Sequence, residues 1–169
     1  MRIRLARKED INDILLIINI GRNRMRKNGN LIQWTDGYPD YSDIMFDIEN
    51  NCSYVIEQSS NNHNEIIGTF CLQSEPEPTY SLIYKGNWLS DEPYVTIHRI
   101  SSSGKVKGVT SYILAWVIHR YKNIRIDTHE SNSIMKHILV SNGFQYCGEI
   151  YVNDGTARKA YQYVHKEDL

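Results

Sequence analysis

Residues Ile100 to Ser111 read I-S-S-S-G-K-V-K-G-V-T-S and mark a change of period in the chain. Before them, Tyr94 to Ile100 is a short apolar run of strand composition. After them, Val109, Tyr112, Ile113, Trp116 and Val117 recur at helical spacing, so Gly108 to Tyr121 is expected as a helix. A strand that feeds a helix through so short a turn must lie beside it, which points to mixed α/β layers. The turn also leaves free backbone N–H groups at a helix N-terminus, where anions bind. Gly104 and Gly108 let it adopt positive φ. Lys105 and Lys107 add positive charge, and Ser103, Thr110 and Ser111 can donate hydroxyl bonds. A Walker loop would end in G-K-[ST] and a dinucleotide fingerprint would read G-x-G-x-x-G; the sequence has neither.

The rest of the chain alternates in the same way. Arg2 to Ala6 reads as a strand, and Lys8 to Lys27 as a helix burying Ile11, Ile14, Leu15, Ile18 and Met25. Asn28-Gly29-Asn30 stops that helix, a loop follows, and Asp43 to Asn50 reads as a second helix. Ser53 to Gln58 and Ile66 to Leu72 form a hairpin around the polar turn Ser59 to Asn64. Pro76 and Pro78 exclude a central strand there, and Tyr80 to Asp91 shows no clear period. Ile124 to Thr128 is a strand and Asn132 to Asn142 a helix that ends at Gly143. Phe144 to Val152 and Ala157 to His165 pair across Asn153-Asp154-Gly155. The order β-α-α-β-β-β-α-β-α-β-β implies one domain over residues 1–169, with a mixed sheet of about seven strands and helices on both faces.

Nineteen basic against twenty acidic residues leave no bulk charge for nucleic acid or a membrane surface. The cationic run Gly21 to Asn28 reads as a solvated helix end, where the macrodipole favours cations. No apolar run approaches the ~18 residues of a membrane span, and no secretory leader is seen, so a cytoplasmic protein is expected. Cys52, Cys71 and Cys147 show no C-x-x-C pair and no metal-ligand spacing, and they read as buried free thiols in a reducing compartment. The six histidines contain no H-E-x-x-H pattern, so no metal is implied.

The loop and a later segment, Asn132 to Phe144 (N-S-I-M-K-H-I-L-V-S-N-G-F), together resemble the two acyl-CoA-binding motifs of the GNAT superfamily of N-acetyltransferases. In the family's Gln/Arg-x-x-Gly-x-Gly/Ala signature, Lys105, Gly108 and Thr110 take the three positions. Asn132, Gly143 and Phe144 fall in register with the second motif; Met135 takes its small position and Leu139 its tyrosine position. In many family members that tyrosine protonates the leaving thiolate, which leucine cannot do.

The resemblance implies acetyl-CoA as acyl donor. It would be held by Ile100, Ser101, Ser102, Lys105, Val106, Lys107, Gly108, Val109, Thr110, Ser111 and Asn132. The run Asp127 to Asn132 resembles an element of ribosomal-protein N-acetyltransferases, which makes Asp127 a candidate proton acceptor beside His129 and His98. An acceptor groove is implied around Gln33, Trp34, Tyr38, Glu75, Glu77, Tyr80, Trp88 and Tyr161, whose rings and carboxylates suit a cationic amine. The expected partner is then an amine-bearing small molecule or peptide N-terminus, and the expected assembly a monomer or homodimer. The expected reaction is direct attack in a ternary complex, with the oxyanion held by a backbone N–H near Ile100. An acyl-CoA-binding module without efficient turnover is the alternative. A cysteine hydrolase lacks any supporting signature.

Overall fold

Where the apolar pattern has period two the chain forms strands, and where it has period 3.6 it forms helices. In a computed structural model that describes residues 1–60 and 63–165, the order is β1 (Arg2–Leu5), α1 (Ile11–Lys27), α2 (Tyr41–Glu49), β2 (Ser53–Ser60), β3 (His63–Gln73), β4 (Val95–Ser102), α3 (Val109–Ile118), β5 (Asn123–Thr128), α4 (Ser133–Ser141), β6 (Gln145–Tyr151) and β7 (Ala157–Val164). The seven strands form one sheet in the order β1-β2-β3-β4-β5-β7-β6. β4 and β5 run parallel, with Val95 opposite Ile124; the β1–β2, β2–β3, β5–β7 and β6–β7 pairs are antiparallel. Among the described residues no helix is long and apolar enough to cross a membrane. The chain divides into two compact units, Met1–Leu72 with His98–Ile113, and Gln73–Ile97 with Leu114–Leu169.

The first unit is built on α1. Its N-terminal turn, Lys8–Asp10, is 3-10 rather than α. Asp10 accepts a two-pronged bond from Arg4 (2.7 and 3.0 Å) and the Arg7 N–H (2.7 Å), while Arg4 Nε reaches Glu57 at 2.6 Å. That network fixes β1, β2 and the start of α1 together. Ile11, Ile14 and Ile18 then pack with Ile44, Ile48 and Val55. α1 approaches β4 closely: a Cβ on Gly21 would lie 2.2 Å from Ser101 Oγ, which donates to the Ile17 carbonyl at 3.0 Å. α2 begins two residues before the expected Asp43, because Asp40 and Asp43 form a reciprocal cap. The β2–β3 strands extend to Ser60 and from His63; Asn61 and Asn62 of the expected turn lie outside the described residues.

In the second unit β5, β6 and β7 surround a core of Tyr80, Ile150 and Ala160, packed by Ile83, Trp88 and Tyr94. The β6–β7 loop closes at Asn153 to Gly155, where Val152 and Thr156 pair at 3.1 Å and Asp154 caps Thr156. The aperiodic segment after Pro78 turns out to be tied down. Tyr84 and Glu149 exchange both backbone bonds at 2.8 Å, and a Cβ on Gly86 would fall 1.9 Å from the Cys147 carbonyl oxygen. Arg125 lies 4.1 Å from the Trp88 ring and 4.0 Å from that of Tyr94. α4 starts at its Asn132 cap, whose side chain accepts the Met135 N–H, and ends where Phe144 N–H returns to Leu139 O across Gly143, φ 86°.

Candidate active site

The sequence-predicted residues fall into two groups, one in each compact unit. In the first unit β4 runs two residues further than expected, through Ser101 and Ser102, so the turn is Ser103 to Gly108. Gly104 and Gly108 have φ of 77° and 79°. A Cβ on Gly108 would meet nothing within 4 Å, so its backbone angle, and not packing, demands glycine. Lys105 and Lys107 are exposed and Val106 half-buried, while Val109 is buried and anchors α3. Thr110 and Ser111 lie half-buried in the first turn of α3, which contains no acidic residue. The positive end of the helix dipole is therefore uncompensated by its own first turn. Lys105 pairs with Glu65. Ser101 gives its hydroxyl to α1, which leaves only its backbone for a ligand.

The cationic run in α1 is not a solvated helix end. Arg24 donates to the Ser102 carbonyl at 3.1 Å and approaches the Ser102 hydroxyl at 3.4 Å; its Nη2 would lie 2.7 Å from a Cβ on Gly104. Arg26 grips the carbonyls of Asn30, Gln33 and Trp34 at 2.8 Å, and Arg22 reaches Trp34, Tyr38 and Pro39 at 3.1–3.3 Å. The signal was in the sequence: Arg22 and Arg26 continue the stripe of buried Ile18, and Arg24 continues that of Ile17 and Gly21.

That grip shapes the loop bearing Gln33, Trp34 and Tyr38. Trp34 takes φ 57° and packs on the α1–α2 core, and Gln33 accepts from Asn30 at 3.0 Å. Tyr38 stays 43% exposed, its ring 5.6 Å from the Arg99 guanidinium. Arg99, between half-buried His98 and Ile100 on β4, has φ 53°, which interrupts the pleat of the strand. Its side chain pairs with buried Asp47 at 2.9 Å. Burial pushes the Asp47 carboxyl above its usual range, and Arg99 pulls the other way. The Asp47, Cys52 and Cys71 ligand atoms come within 4.8 Å of one another, a cluster that spacing in sequence did not reveal.

In the second unit Asp127, on β5, accepts the Tyr80 hydroxyl at 2.7 Å. Tyr80 is 1% exposed and tilts against Trp88 at 5.2 Å. Burial, and then Asp127, push its hydroxyl well above the ordinary value, so it stays a neutral donor. Tyr80 thus belongs to the core of its unit, where it orients Asp127, and does not line an open groove. Glu77 caps the 3-10 turn Pro78–Tyr80 through Thr79, at 3.2 Å to its N–H and 2.9 Å to its hydroxyl. Glu75 is exposed and Tyr161 buried.

His129 follows β5. Its Nδ1 accepts the Ser131 N–H at 3.2 Å and lies 2.7 Å from the Ser131 hydroxyl. A neutral ring with Nδ1 accepting carries its proton on Nε2. Burial, with Arg158 and Lys136 behind it, holds its pKa below the ordinary histidine value. Leu139, in the tyrosine position, is fully buried. A cleft of about 320 Å³ between Lys85, Glu130, Glu149, Arg158 and Lys159 contains none of the predicted residues, and its Lys85 and Lys159 each pair with Glu149 at 2.8 Å.

No family model and no curated protein matches the chain. Solved structures do. An acetyltransferase of the GNAT family from Streptococcus agalactiae is 34% identical, with a TM-score of 0.86 over 98% of this chain and 96% of its own. A GNAT-family acetyltransferase from Listeria monocytogenes is 20% identical, with a TM-score of 0.70 over 96% of this chain and 94% of its own. A ribosomal-protein-alanine N-acetyltransferase from Brucella melitensis shares the fold at 15% identity, with a TM-score of 0.62 over 97% and 99%. The seven-stranded, mostly antiparallel sheet, the glycine turn from β4 into α3 and the 34% identity across almost the whole chain together place this protein in the GNAT family of acetyltransferases.

Proposed function

We propose that residues 1–169 act as one cytoplasmic N-acetyltransferase domain that moves an acetyl group from acetyl-CoA to the amine of a small molecule or a peptide N-terminus. The observation that carries this reading is the Ser103–Gly108 turn. Its two left-handed glycines, the acid-free first turn of α3, the Arg24 guanidinium and exposed Lys107 fit a pyrophosphate by charge and by donor supply. Lys105 to Ser111 would hold the phosphates, and the Ile100–Ser102 backbone would flank the acyl arm as an added strand. Acetyl-CoA supplies the activated acyl group and a thiolate leaving group.

The acceptor must shed a proton before its nitrogen attacks. Among the three candidate bases, Asp127 is favoured, because a buried tyrosine hydroxyl fixes its carboxylate. His129 engages Nδ1 with Ser131, so in its neutral form Nε2 carries the proton and acts as a donor, not as a base. His98 is the remaining choice. The alternative, acyl-CoA binding without efficient turnover, is favoured by Leu139, a core residue where many relatives carry a proton donor.

Thiol release from acetyl-CoA across a panel of small amines and peptide N-termini tests the proposal. Turnover with at least one amine is expected, lowered on the order of 10²-fold or more in Asp127→Asn. Tight acetyl-CoA binding with no thiol release across the panel selects the binding module instead.

A further inference from the structure

Asp47, Cys52 and Cys71 form a cluster of reactive groups that acyl transfer does not use. We propose that Cys52 and Cys71 are a dithiol that closes reversibly to a disulfide under a hydroperoxide oxidant, a modification site beside the Asp47–Arg99 ion pair. Backbone geometry holds the pair in place. β2 and β3 set Ser53 opposite Cys71, and Leu72 N–H donates to the Cys52 carbonyl at 2.8 Å. Asn51, with φ 55°, turns the chain just before Cys52. The two sulfur atoms lie within 4.8 Å of each other, and closure brings them to a bond of about 2.05 Å by side-chain rotation.

The two thiols differ in the way such a reaction requires. Cys52 is half-buried, so an oxidant can reach it, whereas Cys71 is 1% exposed. The neighbouring Cys71 thiol lowers the Cys52 pKa, while Cys52, and then burial, raise the pKa of Cys71. Cys52 is therefore the attacking thiolate and Cys71 the resolving thiol. A metal ion is the weaker reading, because Arg99 already sets a cation 2.9 Å from the Asp47 carboxylate.

In the first step the Cys52 thiolate attacks the peroxide. An S–O bond forms, the O–O bond breaks, and hydroxide leaves to take up a proton as water. In the second step Cys71 sulfur attacks Cys52 sulfur. The S–S bond forms, the S–O bond breaks, and hydroxide leaves with the Cys71 proton as a second water. Both sulfurs are oxidised by one electron each, and the peroxide is reduced by two. Closure withdraws Cys52 Sγ from the Asp47 carbonyl it bonds at 3.3 Å, and so reaches the residue that pairs with Arg99 on β4.

The test is peptide mapping and intact mass of the full chain after a few equivalents of hydrogen peroxide. The expected result is a loss of about 2 Da, reversed by dithiothreitol, with a Cys52–Cys71 cross-linked peptide and Cys147 still free. Cys52 should oxidise about tenfold faster than Cys147, whose pKa burial pushes up. In Cys71→Ser the reaction should stop at a sulfenic acid on Cys52 that dimedone traps. Oxidation of wild-type Cys52 to sulfinic acid, a cross-link through Cys147, or no loss of thiols would overturn the proposal, whatever the variants do.

Discussion

Arg99 carries a charge in two costly settings at once. Its backbone lies in the left-handed region, and its side chain is mostly buried against an Asp47 that is 1% exposed. Removing only the cation strands a buried carboxylate, which is costlier than losing the pair. Arg99→Ala should therefore destabilise the fold by about 3 kcal/mol in urea unfolding, and adding Asp47→Asn should restore much of that. A single variant as stable as wild type would mean that Asp47 is protonated in the native state. Arg24 behaves differently, since its bonds go to the rim of the glycine turn. Arg24→Ala is expected to weaken acetyl-CoA binding about tenfold by calorimetry, the value of one charge-assisted bond, while leaving the melting temperature nearly unchanged. Arg24→Lys keeps the charge but not the fork and should recover only part.

Among the elements, α1 is placed by what it lacks. In an isolated helix Gly21→Ala would gain about 1 kcal/mol. Here the new methyl meets Ser101 Oγ at 2.2 Å and Ser101 Cβ at 3.2 Å, and the serine hydroxyl is held by Ile17. The clash outweighs the propensity, so Gly21→Ala should cost about 2 kcal/mol. Gly21→Ala combined with Ser101→Ala should cost clearly less, which a double-mutant cycle in denaturant would read. Contacts of this reach also explain which elements could be read in the sequence. The α4 cap at Asn132, the turn at Gly143 and the Asn153–Gly155 loop are settled by residues within five positions of one another. The segment around Gly86 was opaque because its partner is the Cys147 carbonyl, on a strand far along the chain. β4 was cut short by two residues because its last serines look like turn residues until Ser101 finds α1.

At the scale of the whole molecule, the Ser103–Gly108 turn was legible because its backbone form needs only two local glycines and a helix start. The groups that position side chains were not. Tyr80 meets Asp127 across 47 positions, and Arg24 meets Ser102 across 78, with no periodicity to betray either. Global stability carries a pH signature at Asp10. Burial opposes ionisation of Asp10, but Arg4 and the Arg7 N–H outweigh it and hold the carboxyl below its usual value. A depressed carboxyl stabilises the fold above its unfolded pKa of about 3.9, and that contribution is lost as pH falls through the lower folded value. Asp10→Asn should flatten the acid limb of stability below about pH 4 in chemical unfolding. Ligand linkage gives the decisive global measurement. A ligand at 100 times its dissociation constant adds about 2.7 kcal/mol. For a chain of 169 residues each kcal/mol is worth about 2–4 °C, so CoA and acetyl-CoA should each raise the melting temperature by roughly 5–10 °C. ATP shares the phosphates but lacks the pantetheine arm that β4 would flank, and it should give much less. A shift in wild type that shrinks in Arg24→Ala ties the effect to the turn. An equal shift with ATP would reduce the turn to a general phosphate site, and no shift with either CoA species would remove the basis for acyl transfer by this chain.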